Sequence, residues 1–239
     1  MELQKGDREL EALNIQLNDQ GSLREYKEPY DHYSVSFIPH LFGCSLVWCG
    51  NIVYGKEPSY LKFRAIEVIA RVPYYSWISA SYTMLTFFYN DPAKAMKLSE
   101  VEKYARLAED NETMHVVVIS ELAQKEGRVG FVRHTLIPML FAFFYFWSSY
   151  ILFLLYPRYS YELNYFFENH AFDQYDRFLE MYREELKQKT ISSEFLSWYG
   201  RSPRTQYEFF MSVRNDEIIH RNTSIERIQT DIEKTSERN

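Results

Sequence analysis

The chain has 239 residues, a net charge of −6, 18% aromatic residues, and only 8 glycines and 8 prolines. Its length suffices for one sizeable core, and its mild acidity gives no basic field for nucleic acid. Two cysteines are too few for a disulfide framework or for a zinc or iron–sulfur site.

Sparse breakers and long apolar-periodic stretches predict an all-α protein. No interdomain linker or internal repeat is visible, so we expect a single domain over 1–239. Within it, 1–33 reads as a peripheral N-terminal arm, 34–232 as the helical body and 233–239 as a C-terminal tail. The charged opening, MELQKGDRELEALN, lacks the apolar core of a secretory signal and the acid-poor composition of a transit peptide. It is the start expected of a prokaryotic or already processed protein.

The first predicted helix, 35–50, carries Phe37, Ile38, Leu41, Phe42, Leu46, Val47 and Trp48. It reads equally well as a membrane-facing helix or a buried bundle helix. Cys44 and Cys49 do not align on one helix face and are read as packing residues. The second helix, 60–89, holds Glu67 among Phe63, Ala65, Ile66, Val68, Ile69 and Ala70, with Pro73 expected to kink it just afterwards. Asn90-Asp91-Pro92 ends it. The third, 98–125, carries Glu112-Thr-Met-His115 and stops at Gly127.

A fourth helix over 129–156 contains the uncharged run Leu136–Leu155, long enough to cross a bilayer. The fifth, 158–188, carries Glu168 directly after Tyr165, Phe166 and Phe167. After a short helix near 192–199 and the Gly200-Arg-Ser-Pro203 turn, the last helix, 205–232, presents Glu217-Ile-Ile-His220.

An i, i+3 spacing places a carboxylate and an imidazole on one helix face, so a single Glu-x-x-His can offer both to an ion inside a bundle. One Glu from each of two helices plus one Glu-x-x-His from each of two others is a known recipe for a pair of metals. This chain supplies Glu67, Glu112 with His115, Glu168, and Glu217 with His220, in that order. Four carboxylates and two neutral imidazoles suit iron or manganese, and four negative charges balance two divalent ions. The bland alternative puts Glu67 and Glu168 on solvated helix edges and makes the histidines ordinary core or surface residues.

If the six residues share a centre, Leu136–Leu155 cannot span the membrane, because a span would leave His115 and Glu168 on opposite sides of a layer about 30 Å thick. A helix lying in one leaflet is the consistent reading. Arg128, Arg133 and Arg158 would flank it, and Tyr145, Trp147 and Tyr150 would suit the interface.

Glu67-Val-Ile-Ala-Arg-Val-Pro-Tyr74, Asn111-Glu-Thr-Met-His115, Glu168-Asn-His-Ala-Phe-Asp-Gln-Tyr175-Asp-Arg-Phe178 and Arg214-Asn-Asp-Glu217-Ile-Ile-His220 resemble the four signature segments of the alternative oxidases. The Ala70-Arg-Val-Pro-Tyr74 and Tyr175-Asp-Arg-Phe178 details look most like the plastid terminal oxidase branch. The resemblance covers about Tyr60 to Arg221.

It implies a ferritin-like four-helix bundle with a di-iron carboxylate centre and one or two membrane-surface helices. The protein would be a monotopic homodimer in contact with membrane lipid, oxidising two quinols for each dioxygen reduced to water, with plastoquinol the expected donor and ubiquinol the alternative. The setting would be the thylakoid or cytoplasmic membrane of a photosynthetic prokaryote.

Carried over, the iron ligands are Glu67, Glu112, His115, Glu168, Glu217 and His220, and Tyr175 is the tyrosine implicated in electron transfer. Asn111, Asp216 and Trp198 match positions behind the ligands. Lys62, Ile66, His170, Ala171 and Gln174 match the quinol pocket. Tyr175 lies two turns after Glu168 on the same face, although as one of 20 tyrosines it also reads as a core aromatic. Asp216 could orient a ligating imidazole or be a surface acid.

The chain departs from the family pattern at Val68, where threonine is usual, at Asn169 and His170, where the mitochondrial branch has carboxylates, and at Lys62, where arginine is usual. Lysine cannot make arginine's forked contacts. A plastid-type insertion before the last motif is absent. Rival readings are a di-iron hydroxylase of a quinone precursor, a ferritin-like iron-handling protein and a non-catalytic membrane-interaction protein.

Overall fold

Proline and cap chemistry set the helix boundaries in the computed structural model, which describes residues 5–127 and 129–236. Arg128, the ends of the arm and tail at 1–4 and 237–239, and their predicted roles lie outside those residues. Among the described residues the fold is all-α, as the composition predicts, with an isolated bridge between Thr190 and Thr205. The helices fall into two compact units, residues 1–59 with 161–239, and residues 60–160.

In the unit over 60–160, the predicted 60–89 helix is interrupted at Arg71, two residues before Pro73, where the kink was expected. Helix α4 spans Tyr60–Ala70 and α5 spans Val72–Phe88, with Arg71 between them. Pro73 has no N–H for the Ile69 carbonyl and its ring crowds that carbonyl, so the first helix stops there and Pro73 enters the first turn of the second. Helix α6, Pro92–Glu126, begins six residues earlier than the apolar period suggests. Asp91 caps it by accepting from the Lys94 N–H at 3.1 Å, and Pro92 fills the first turn. The turn read as a stop is therefore also a start.

A single π turn, Val132–Leu136, leads into α7, Ile137–Leu155. Helices α4 and α5 both pack on α6 and α7. Tyr74, Trp77 and Phe153 form the aromatic centre, and a buried hydroxyl chain joins Ser76 to Ser149 at 2.7 Å and Ser149 to Ser160 at 3.0 Å. Trp77 donates its indole N–H to Ser160.

Helix α7 buries Pro138, Tyr145, Ser149 and Phe153, spaced as one helical stripe, and exposes Met139, Leu140, Phe143, Phe144, Trp147, Ile151 and Leu155. Tyr145 therefore faces inward and not an interface, and Tyr150 bonds Thr83 at 2.8 Å.

In the other unit, the segment expected to be a peripheral arm forms helices α1, Lys5–Gln16, and α2, Gln20–Lys27, with a short 3₁₀ turn at Glu28–Tyr30. These pack on the last helix and are not peripheral. Helix α3, Phe37–Tyr54, buries only Pro39 and Gly43 and exposes Phe37, Ile38, Leu41, Phe42, Trp48 and Ile52, which removes the buried-bundle reading. Cys44 is exposed beside the His40 ring and Cys49 is half-buried, so neither is the packing residue expected.

Helix α8, Pro157–Met181, is followed by α9, Arg183–Gln188, where one helix was predicted. Helix α10, Glu194–Tyr199, ends on Gly200, whose φ of 104° is a left-handed cap open to glycine. Helix α11, Gln206–Ser236, completes the unit. Buried Glu162 on α8 accepts from the Tyr33 hydroxyl at 2.8 Å and from the Ser36 N–H at 3.0 Å, holding the N-terminus of α3 to α8.

Helices α3 and α8 approach tightly at Gly43, where an added Cβ would run into the Phe166 ring. Gly43→Ala is expected to force the two helices apart and to destabilise the protein by about 1–3 kcal/mol, read as a lower denaturant midpoint.

Candidate metal centre

Glu67 leaves α4 where α6 runs antiparallel to it. Two polar ties set that register. Arg64 Nε donates to Ser120 Oγ at 3.1 Å, and Arg71 in the break between α4 and α5 pairs with Glu109 at 2.6 Å. Thr113 Oγ1 donates to the same Glu109 oxygen at 2.8 Å. Glu67 lies between the ties and so faces the Glu112–His115 turn. His115 Nδ1 stands 3.3 Å from Glu67 Oε2 and 3.5 Å from Glu112 Oε2, and all three side chains are fully buried. Burial pushes the Glu67 carboxyl up to about 8, the Glu112 charge adds to the rise, and His115 opposes it. A carboxyl held neutral in this way gives up its proton when a cation takes its place.

The second triad is built the same way on α8 and α11. From one end of the pair to the other, Asn164 donates to Ser224 Oγ at 3.1 Å, Arg221 donates to Asn169 Oδ1 at 2.9 Å, and Arg214 pairs with Asp176 at 3.0 Å. As residue numbers rise along α8 they fall along α11, which fixes an antiparallel register and brings Glu168 opposite His220. Ser224 also donates to the His220 carbonyl at 3.1 Å. Glu168, Glu217 and His220 are buried, and each offers a ligand atom within 4.8 Å of the others'. Glu67, Glu112 and His115 meet the same distance. Each triad is two carboxylates and one imidazole, an oxygen-rich donor set that fits a ferrous or manganous ion. The six buried residues predicted as ligands thus stand in two groups able to hold metal, and none lies on a solvated edge.

The remaining predicted residues divide. Tyr175 is fully buried, its ring stacked on Phe210 with centroids 6.1 Å apart. Asn111 is buried next to Glu112. Asp216 is buried and not a surface acid; the Arg201 guanidinium grips both its oxygens and Asn14 donates to Oδ1 at 2.6 Å. Trp198 does not fit the position expected behind the ligands, because it lies 63% exposed on α10 against Phe195. Lys62 is buried and Ile66 half-buried, one turn apart on α4. His170 and Gln174 are half-buried one turn apart on α8, with Ala171 buried between them.

Sequence reasoning missed the ties at Arg64, Arg71, Glu109, Asn164, Arg214 and Arg221. Their signal was polar side chains embedded in helices otherwise patterned for burial.

Comparison with known proteins gives three results. The sequence model of the alternative oxidase family matches residues 27–227. The chain is 28% identical over 185 residues to "Ubiquinol oxidase 4, chloroplastic/chromoplastic" of Arabidopsis thaliana, a match covering 69% of this chain and 50% of that protein. The chain therefore spans about half the length of the curated relative it matches. No solved structure matches it.

Either Glu112→Ala or His220→Ala is expected to weaken cobalt(II) binding by at least about tenfold, the lower end of what even outer ligand partners contribute. Isothermal titration against the unsubstituted protein measures it, and unchanged affinity in both variants would remove the triads as metal sites.

Proposed function

This chain belongs to the alternative oxidase family, and from that premise we propose that it is a membrane-associated quinol oxidase with two irons per chain, held by Glu67, Glu112, His115, Glu168, Glu217 and His220. The observation that carries the reading is the completeness of the donor set. The family segment contains both Glu-x-x-His motifs and both single glutamates, and all six side chains are buried. Four carboxylates offset the charge of two ferrous ions, which an apolar helix interior could not otherwise hold.

A pair of irons held by these residues would supply the redox chemistry that couples quinol oxidation to dioxygen reduction. The chain's own residues do the rest. Lys62 donates N–H to a quinone oxygen as a point charge, without arginine's fork. Ile66 and Ala171 offer apolar surface to the ring, and His170 and Gln174 supply polar contacts to its oxygens. Tyr175, two turns from Glu168, has a phenol that can release a proton and an electron together at Oη. Its burial against Phe210 keeps bulk water from that oxygen.

The exposed apolar faces of α3 and α7 support attachment to one leaflet, since soluble proteins rarely leave such continuous patches uncovered. Plastoquinol is the proposed donor and a photosynthetic prokaryote's membrane the proposed setting, with the protein acting as a homodimer. The support is the plastid-type detail at Ala70-Arg-Val-Pro-Tyr74 and Tyr175-Asp-Arg-Phe178. The name of the Arabidopsis relative carries both ubiquinol and the chloroplast.

Purified protein reconstituted with iron without oxygen, then supplied with plastoquinol or ubiquinol, is expected to consume one dioxygen for every two quinols. All label from heavy-isotope dioxygen should appear in water. Label in the quinone would instead identify a hydroxylase, and oxidation that stops with the added iron a ferritin-like protein. Tyr175→Phe is expected to keep its iron and lose most turnover.

A second prediction concerns the membrane. With Cys44 and Cys49 replaced by serine, single cysteines placed on either flank of α7, at Arg133 and Arg158, are expected to be labelled from the same side of sealed vesicles. Labelling from opposite sides would show a span.

A further inference from the structure

The arm that was expected to be peripheral is tied to the ligand helix by groups too buried to be incidental. Asn14 on α1 is only 2% exposed. Its amide donates one hydrogen to the Ser212 carbonyl at 2.7 Å and another to Asp216 Oδ1 at 2.6 Å. In return, Asn215 Nδ2 donates to the Asn14 carbonyl and to Asn18 Oδ1, both at 2.9 Å. The Arg201 guanidinium, itself buried, closes the network by gripping Asp216 through two nitrogens and donating from Nε to Glu11 Oε2 at 2.8 Å. Three successive positions of one face of α11, at 212, 215 and 216, are thus held from the arm immediately before Glu217.

Apolar packing continues the clamp. Leu17 and Leu23 of the arm are buried against Phe172 of α8 and against Ile218 and Ile219, the two residues between Glu217 and His220. The sequence family begins its match at residue 27, so Glu11, Asn14, Leu17 and Leu23 lie ahead of the family segment.

We propose that Asn14 and Arg201 are positioning residues for the metal centre, and that the arm is a latch setting the rotation of α11 and hence the direction in which Glu217 and His220 point. The proposal rests on the reading of those two residues as ligands. An amide that donates both hydrogens to one helix resists rotation of that helix about its axis, which a purely apolar contact does not. Buried charge at Asp216 gives the latch its strength, because releasing Asn14 or Arg201 leaves a buried carboxylate short of donors. Outer partners that orient ligands in this way typically account for ~10–100-fold in metal affinity.

The test uses the full chain. Asn14→Ala is expected to weaken cobalt(II) binding by ~10–100-fold and, in metal-free protein, to speed amide hydrogen exchange over residues 212–220. Asn18→Ala unties only Asn215 and is expected to leave the affinity near that of the unsubstituted protein. If Asn14→Ala does not fold, Arg201→Lys keeps the charge, loses the fork and is expected to show the same pattern.

Unchanged cobalt affinity and unchanged exchange would overturn the latch. Equal losses in Asn14→Ala and Asn18→Ala would also overturn it, by reducing Asn14 to general docking of the arm. If the unsubstituted protein binds no cobalt, the metal reading fails separately, and the exchange measurement still decides whether the arm restrains α11.

Discussion

An ionised carboxylate cannot be carried into an apolar helix interior without a compensating charge, because the uncompensated transfer costs tens of kcal/mol in a low-dielectric medium. Both units of this chain accept that constraint at the same kind of place. Each buries two glutamates and a histidine with ligand atoms within 4.8 Å. The strain is visible at Glu67, whose carboxyl is pushed up to about 8 by burial and by Glu112. A divalent cation in each triad would resolve it, and the surrounding polar ties keep each triad in place. In each unit a single glutamate faces a Glu-x-x-His across an antiparallel helix pair. Polar ties bracket it on both sides, Arg64–Ser120 and Arg71–Glu109 in one unit, Asn164–Ser224 and Arg214–Asp176 in the other.

The ligands were legible in the sequence because their chemistry is restrictive. Few residue types bind iron, and an i, i+3 pair fixes their common face without any knowledge of the fold. The ties were not legible, because each joins residues far apart in the chain, and a lone Arg71 or Asn164 looks like any polar residue on a helix edge. Arg71 shows the difficulty. Pro73 made a disturbance of the helix predictable, but only the structure shows that the break frees Arg71 to pair with Glu109. The arm was misread for a related reason. Its residues are mostly polar, and its role depends on partners such as Asn14 with Asp216 and Asp31 with Arg221, about 190 to 200 positions apart.

The apolar helices illustrate a different limit. Composition identified 35–50 and 136–155 as unusually hydrophobic but could not say which faces are covered. Helix α3 leaves Phe37, Leu41, Trp48 and Ile52 outward. Helix α7 turns Tyr145, Ser149 and Phe153 inward while exposing Phe143, Phe144 and Trp147. An exposed apolar helix face of this size is the kind of surface that marks contact with a membrane or a protein partner. Helix α3, which carries one such face, is held at its N-terminus by Glu162 of α8, the helix that also holds Glu168.

The central claim is that the six buried glutamates and histidines are iron ligands. Mössbauer spectra of iron-57-loaded protein, with iron quantified per chain, test it most directly. The account predicts two tightly held high-spin irons per chain, lost when Glu112 and Glu217 are both replaced by alanine. Protein that holds no iron after desalting, or that keeps both irons in that double variant, would contradict the account.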